Sequence, residues 1–534
     1  MNKIIEFIIG HIKITFFICA AVLSFAVYAQ TLKYDFVYLD DDVLIIDKIQ
    51  ILSDYKTIPS YFYKSVFAFG GDKYFRPGLI ASFAADAILG GLNSASYHHT
   101  DILLHILGVF LIFVFLINLG FDKKICFAFC SLFAVCPAFV QAVAWLPGRN
   151  DVLLAVFVMP ALIFLMNYLK TNKKIYLFLH TLMFLAALFV KETAVVLTAI
   201  IPFMIFLFNR ENFKISEIKK IFFLLALALV VYFSFRYAAL HNSRGSVPIL
   251  GSLKYLLHSL PCVFQYCDYL INPSRLSVVP SHIDIDFFSF ISAFIIFGVP
   301  FISSFAYKRG GKTVVAFGFI WFVLFLFPTL ILPSNNYFSH RLYLPAVGVI
   351  IMWTECLPFI LKDIKPFFKK LLLFIFIVIL FLFALASFFQ TKKFQNREIF
   401  WFHALNDAPS SAFVVSSVGM YYYDNKIYGE AEKYFLKAVS LSPSDYRSYN
   451  NLGNICMFKG DVETAVKYFE QSLNINPNND TALYNLSQLY YILGNVDEAY
   501  TLAKKAIELE PQDAGYREHY DKVEKNVKNS RQGF

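Results

Sequence analysis

The chain has 534 residues, of which 58% are apolar and only 16% charged, and 62 of them are phenylalanine. Soluble domains carry roughly 25% charged residues, so a soluble globular protein is excluded and a polytopic membrane protein is implied. The net charge of +9 needs no nucleic acid to explain it, because lysines and arginines gathered in turns between apolar runs account for it.

Apolar runs of roughly 20 residues, the length that crosses a hydrocarbon core of about 30 Å, predict eleven spans. They lie near 8–29, 98–118, 125–140, 151–169, 175–190, 193–208, 219–240, 287–306, 313–333, 342–361 and 371–390, the third, fifth and sixth being short. The first is read as a retained anchor, since no small-residue cleavage site follows it. Between the first two spans lies a long segment, 30–97. It carries the triplet Asp40-Asp41-Asp42, a Phe75-Arg76-Pro77 turn and an amphipathic stretch from Leu79 to Leu92 that suits the membrane interface.

Every second loop is rich in cations: Lys123/Lys124, Lys170/Lys173/Lys174, Arg210/Lys214/Lys219/Lys220, Lys308/Arg309/Lys312 and Lys362/Lys365/Lys369/Lys370. The intervening loops hold few: Arg149, Lys191, Arg244/Lys254/Arg275 and Arg341. Positive charge stays inside, so the N-terminus is expected in the cytoplasm and the tail outside it. The long loops 30–97 and 241–286 then share the outer face. The eight cysteines sit mostly within spans as small apolar residues. Cys262 and Cys267 are the one pair in reach of an oxidising space, and a five-residue helical offset argues against their bridging.

Beyond residue 390 the chain acquires a period. Pro409, Pro443, Pro477 and Pro511 are 34 residues apart, as are Ala431, Ala465 and Ala499, and Gly419 and Gly453. Small residues where two helices touch, aromatics filling the gap and proline after the second helix identify tetratricopeptide repeats (TPR). Three repeats are predicted at 410–511, after a connecting helix at 391–409 and before a capping helix and tail at 512–534. The groove of such an array offers a protein-binding surface; a rigid spacer or an oligomerisation face is the alternative.

Carboxylates beside a bilayer are costly, which makes Asp40 and Asp41 candidates for chemistry: one takes a hydroxyl proton while its neighbour raises its pKa. A solvated loop or a helix cap is the competing reading. Arg76, His98, His99, Asp101, His105, Arg149, Asp151, Lys191, Glu192, His340 and Arg341 are placed mostly at outer span ends. Cations there suit a lipid-linked phosphate. For any one of them an interfacial anchor is the bland alternative. The triplet offers oxygens for Mg²⁺ or Mn²⁺, but with no second carboxylate cluster on that face no metal is expected.

Phe36-Val37-Tyr38-Leu39-Asp40-Asp41, Phe75-Arg76-Pro77, Tyr97-His98-His99 with Leu104-His105, Ala144-Trp145 with Gly148-Arg149-Asn150-Asp151, Lys191-Glu192 and His340-Arg341-Leu342-Tyr343-Leu344-Pro345 follow one another in an order with a known counterpart. The chain resembles a bacterial relative of the transmembrane-and-TPR O-mannosyltransferases, which have the GT-C glycosyltransferase fold. The resemblance implies an all-α architecture, a GT-C-like membrane helix bundle over 1–390 followed by a TPR α-solenoid. It implies an inverting glycosyltransferase that takes a sugar from a polyprenyl-phosphate donor to a protein or envelope-glycan hydroxyl on the extracytoplasmic side, with no obligatory cofactor. Asp40 and Asp41 match the family's catalytic acidic pair. Arg76, His98, His99, His105, Arg149, Asp151 and Arg341 are the expected substrate-binding residues, the arginines on the phosphate.

The chain departs from the pattern where relatives often read His-Pro-x-His-x-Glu; here the residues are Cys136-Pro137-Ala138-Phe139-Val140-Gln141. Glutamine positions a hydroxyl but does not take its proton. An inactive TPR scaffold for envelope assembly and a lipid-linked oligosaccharide ligase are therefore the alternatives. A transporter is disfavoured by the lack of paired, broken spans. A multi-pass protein of the bacterial inner membrane is expected.

Overall fold

The structure, a computed structural model, describes residues 11–65, 74–208, 215–240, 255–280, 283–305, 311–331, 337–511 and 513–532. Among them there are helices and no strands, the all-α class expected. Two compact units emerge, one running to Phe400 and the other from Trp401 onward.

Among the described residues, seven helices of the first unit are long and apolar enough to cross a membrane, and the pair Lys123–Ala134 and Pro137–Ala144, bent by 51°, makes up to eight. Eleven spans were expected. The difference lies in Lys174–Val190, Glu192–Leu207 and Pro345–Ile360, which are apolar but short. The bend has a local cause: Pro137 removes a backbone donor and ends the preceding helix. The interfacial stretch at 79–92 is a helix, Pro77–Gly90, with proline at its first turn and Gly91 beyond its end at φ 59°.

Close helix approach in a bilayer relies on small residues. A Cβ on Gly318 would meet the Gly348 carbonyl oxygen at 2.5 Å, which explains how Gly311–Ile331 seats against Pro345–Ile360. The first and last spans are joined by polar bonds: Gln30 Nε2 donates to the Phe388 carbonyl at 2.7 Å and the Thr391 hydroxyl at 2.6 Å.

Loop ends that the charge pattern assigns to the outer side contact one another. Trp145 reaches Leu39, Arg76 reaches Glu192, and Gln141 reaches Val278. Ends assigned to the inner side do likewise, with Lys170 at the Asn118 carbonyl and Tyr168 at Glu217. Of the loop cations, Arg210, Lys214, Arg244, Lys254, Lys308 and Arg309 lie outside the described residues. Cys262 and Cys267 are both buried and free.

The second unit is a stack of helix pairs: Ala412–Asp424 with Tyr428–Leu441, Tyr446–Lys459 with Val462–Ile475, and Asp480–Ile492 with Val496–Leu509, then Ala514–Gln532. The glycines at 34-residue spacing are there for packing. A Cβ on Gly419 would meet the Phe435 ring at 2.8 Å, and one on Gly453 the Phe469 ring at 2.7 Å. Each turn between paired helices needs a left-handed residue, Lys426 (φ 63°), Gly460 (φ 78°) and Gly494 (φ 84°). Each second helix stops two residues before Pro443, Pro477 or Pro511.

Candidate active site at one end of the bundle

Three polar groupings lie at the end of the bundle where the loop ends that the charge pattern assigns to the outer side come together. The first is the acidic loop. Tyr38 (φ 60°) and Asp40 (φ 68°) both hold left-handed backbone, which is uncommon for residues other than glycine. Asp41 accounts for it. Its carboxylate accepts the Val37 and Leu39 amides, each at 2.7 Å, and it is 1% exposed. Alternating left-handed residues thus wrap the chain around one carboxylate and turn the neighbouring Asp40 outward, where it is exposed. Burial pushes the Asp41 carboxyl up to about 7, although both amides pull it down. Burial raises Asp42 as well, which opens the next helical turn.

A second grouping surrounds Arg149. Its guanidinium is fully buried and donates to Asp101, to Asp86 at 2.5 Å, and to the Tyr97 carbonyl at 2.9 Å, with the Phe83 ring 4.7 Å away. Two carboxylates and a carbonyl take up the fork, so the helices Pro77–Gly90, Ser94–Asn118 and Arg149–Thr171 are pinned together. Asp86 was not anticipated as a partner; its one signal in the sequence is a lone carboxylate in an otherwise apolar helix. His98 is buried beside this knot and neither ring nitrogen has a hydrogen-bond partner among the described residues. His99, one position on, faces outward and is exposed. His105 is buried in packing: its Nε2 donates to the Ala134 carbonyl at 3.0 Å, which leaves Nδ1 to accept from the Tyr343 hydroxyl at 2.9 Å.

The third grouping is cationic. Lys191 Nζ donates to both oxygens of Asp151 at 2.8 and 2.7 Å and to Asn150 at 2.9 Å. Arg76 grips Glu192 through two bonds of 3.0 and 2.6 Å. Burial lowers the Lys191 ammonium, Asp151 draws it back up, and the nearby charges of Arg76 and Arg341 push it down again. His340 Nε2 lies 3.7 Å from Asp151, and burial together with the same cations holds its pKa well below the usual imidazole range. Asp151, Lys191, Thr193 and Arg341 line a small cleft whose other walls include Leu154, Phe325 and Leu344.

Gln141 takes part here. Its amide donates to the Val278 carbonyl at 3.0 Å, and its oxygen lies 3.2 Å from His340 Nδ1. Since a carbonyl only accepts, Gln141 Oε1 faces His340 and Nδ1 carries the proton. Phe139, which stands in place of the second histidine of the expected His-Pro-x-His-x-Glu pattern, packs its ring 4.2 Å from Phe133 and 5.2 Å from Tyr343.

Trp145 joins the acidic loop to the cationic grouping. Its ring lies 5.2 Å from His340 while its indole nitrogen bonds the loop. Of the residues predicted for substrate, Asp151, Arg76 and Arg341 therefore gather around Lys191, whereas Arg149 is held in the buried knot with Asp101. No group of three or more His, Cys, Asp or Glu side chains among the described residues is arranged to hold a metal ion.

Tetratricopeptide-repeat family models match residues 418–480 and 459–518. Curated relatives bear out the resemblance drawn from the motifs. Protein O-mannosyl-transferase Tmtc1 of Drosophila melanogaster is 29% identical over 180 residues, covering 33% of this chain and 21% of the relative. Human protein O-mannosyl-transferase TMTC2 is 32% identical over 160 residues, 29% of this chain and 19% of the relative. Human TMTC3 is 22% identical over 432 residues, 71% of this chain and 46% of the relative. The matches span less than half the length of each of these relatives. Among solved structures, the Sgt2 TPR domain from Aspergillus fumigatus matches with 17% identity and a TM-score of 0.22, over 23% of this chain and 82% of that one.

Proposed function

We propose that this chain is an integral membrane glycosyltransferase that moves a sugar from a polyprenyl-phosphate donor to a hydroxyl of a protein or envelope glycan on the extracytoplasmic side. The cleft beside Lys191 carries the reading. Among the described residues, the cations Arg76, Lys191 and Arg341 surround the carboxylates Asp151 and Glu192, and apolar Leu154, Phe325 and Leu344 continue the same wall. Cations next to an apolar surface suit a phosphate carried on a hydrocarbon chain.

In this reading the acceptor hydroxyl attacks the anomeric carbon from the side opposite the phosphate. The C–O bond to the sugar forms as the bond to the phosphate oxygen breaks, with inversion. Asp40, exposed at the tip of its loop, takes the hydroxyl proton. Asp41 holds the loop backbone and, at 1% exposure, is withdrawn from an incoming hydroxyl. Lys191 and Arg341 stabilise the charge that develops on the leaving phosphate, which as a good leaving group needs no strong acid. Arg149 organises the helices behind the site. The tail is read as the surface that receives a protein acceptor or partner; Asn485 already bridges Asn450 and Asn454 across two repeats, so carboxamides line neighbouring helices.

Binding of a polyprenyl phosphate to the purified protein tests the cleft. Arg341→Gln should weaken binding about tenfold, the worth of one charge-assisted bond; unchanged affinity removes the cleft from the mechanism. The inactive-scaffold alternative draws support from Phe139, whose packed ring leaves no imidazole at that position.

A further inference from the structure

The acidic loop is also held from the far end of the membrane unit, by residues that no motif singled out. The Asp35 amide donates to the Gln395 carbonyl at 2.9 Å. Two residues on, the Arg397 guanidinium lies over the Tyr38 ring, 4.4 Å from its centre. Arg397 is half-buried and opens the helix Arg397–Asp407, whose first turn is capped by Asn396 accepting the Ile399 amide at 2.9 Å. The last span reaches this point with its end tied to Gln30 and Tyr34 through Thr391. Arg397 is therefore set on a rigid support, and its target is one of the two left-handed residues in the loop.

Left-handed backbone at a tyrosine is unfavourable, so something outside the residue must stabilise it. Asp41 supplies bonds to the amides on either side of Tyr38, at Val37 and Leu39. Neither bond fixes the direction of the Tyr38 side chain. A planar guanidinium stacked on the ring does so, and a lysine point charge would do it less well. We propose that Arg397 is a positioning residue: by clamping the Tyr38 ring it holds the 37–41 turn in the form that presents Asp40 outward. The inference rests on the proposed role of Asp40 for its functional meaning. Its structural content does not depend on that role. The positive charge of Arg397 also lowers the Tyr38 phenol and the Asp42 carboxyl, against the larger effect of burial at both.

Hydrogen–deuterium exchange of the full-length protein in lipid nanodiscs tests the clamp without requiring turnover. Arg397→Ala should speed exchange about tenfold in peptides spanning residues 34–46, the scale of one partly desolvated cation–π contact, and leave peptides of the helix Tyr446–Lys459 unchanged. Loop exchange at the wild-type rate would overturn the proposal. If Arg397→Ala does not yield folded protein, Tyr38→Leu removes the other half of the contact and should produce the same loop-confined acceleration; its absence is equally fatal. Where transfer is measurable, Arg397→Ala should lower kcat about tenfold with the donor KM unchanged. A raised KM with intact kcat would contradict positioning. Faster loop exchange in a protein that transfers no sugar would leave the clamp standing and sink the transferase reading instead.

Discussion

The indole N–H of Trp145 donates to the Leu39 carbonyl at 2.8 Å, and this one bond joins the acidic loop to the cationic cleft. Leu39 sits between the two left-handed residues, with its amide on Asp41 and its carbonyl on Trp145. Trp145→Phe keeps the ring beside His340 and removes the donor. Leaving that carbonyl without its partner costs about 1–2 kcal/mol, and transfer should fall roughly tenfold in kcat with the donor KM little changed. Steady-state kinetics at varied donor concentration would show it.

Arg149 and Arg341 should behave differently despite their shared charge. Arg149→Met strands Asp86 and Asp101 in a buried setting, and removal of one partner from such a group costs about 3–5 kcal/mol. The expected result is a large drop in thermal unfolding temperature in detergent, or failure to recover monodisperse protein. A melting curve like that of the wild type would show that the knot does not hold the helices.

Asp41 makes stability depend on pH with a definite sign. Its folded pKa is raised from the ordinary carboxyl value to about 7, so folding favours the protonated form. The stability it lends is present near pH 4 and is lost as pH rises through 7. Asp41→Asn has no such titration. The melting temperature of the Asn variant minus that of the wild type should therefore grow as pH is raised from 5 to 8, read by thermal shift at matched ionic strength.

In the tail, Gly453→Ala drives a methyl group into the Phe469 ring. The ring is buried between helices with little room to retreat, and overpacking of this kind costs about 1–3 kcal/mol. Exchange of amides in Tyr446–Lys459 and Val462–Ile475 should accelerate, while those of the first unit hold their wild-type rates.

Much of this was legible in the residues themselves. A 34-residue period can be read without alignment because several independent positions share it, and the glycine–phenylalanine contacts explain why it must be kept. The positions of the spans were legible from apolar length, but their number was not. Pro137 bends one run by 51° and others fall short of a full crossing, and hydropathy registers neither effect. At the site, residue type disclosed charge without disclosing direction. Arg76, Arg149 and Arg341 look alike in sequence, yet Arg149 is taken up by Asp86, a partner 63 positions away. Arg397 was invisible for the same reason, since its contact with Tyr38 joins the two ends of the membrane unit.

The most direct measurement is sugar transfer by the purified full-length chain, reconstituted with a radiolabelled polyprenyl-phosphate mannose and a hydroxyl-bearing peptide, alongside Asp40→Asn. The account predicts that the wild type labels the acceptor and that Asp40→Asn, folded and still binding polyprenyl phosphate, does not. Equal labelling by both proteins, or none by the wild type with any polyprenyl-phosphate sugar, would contradict it.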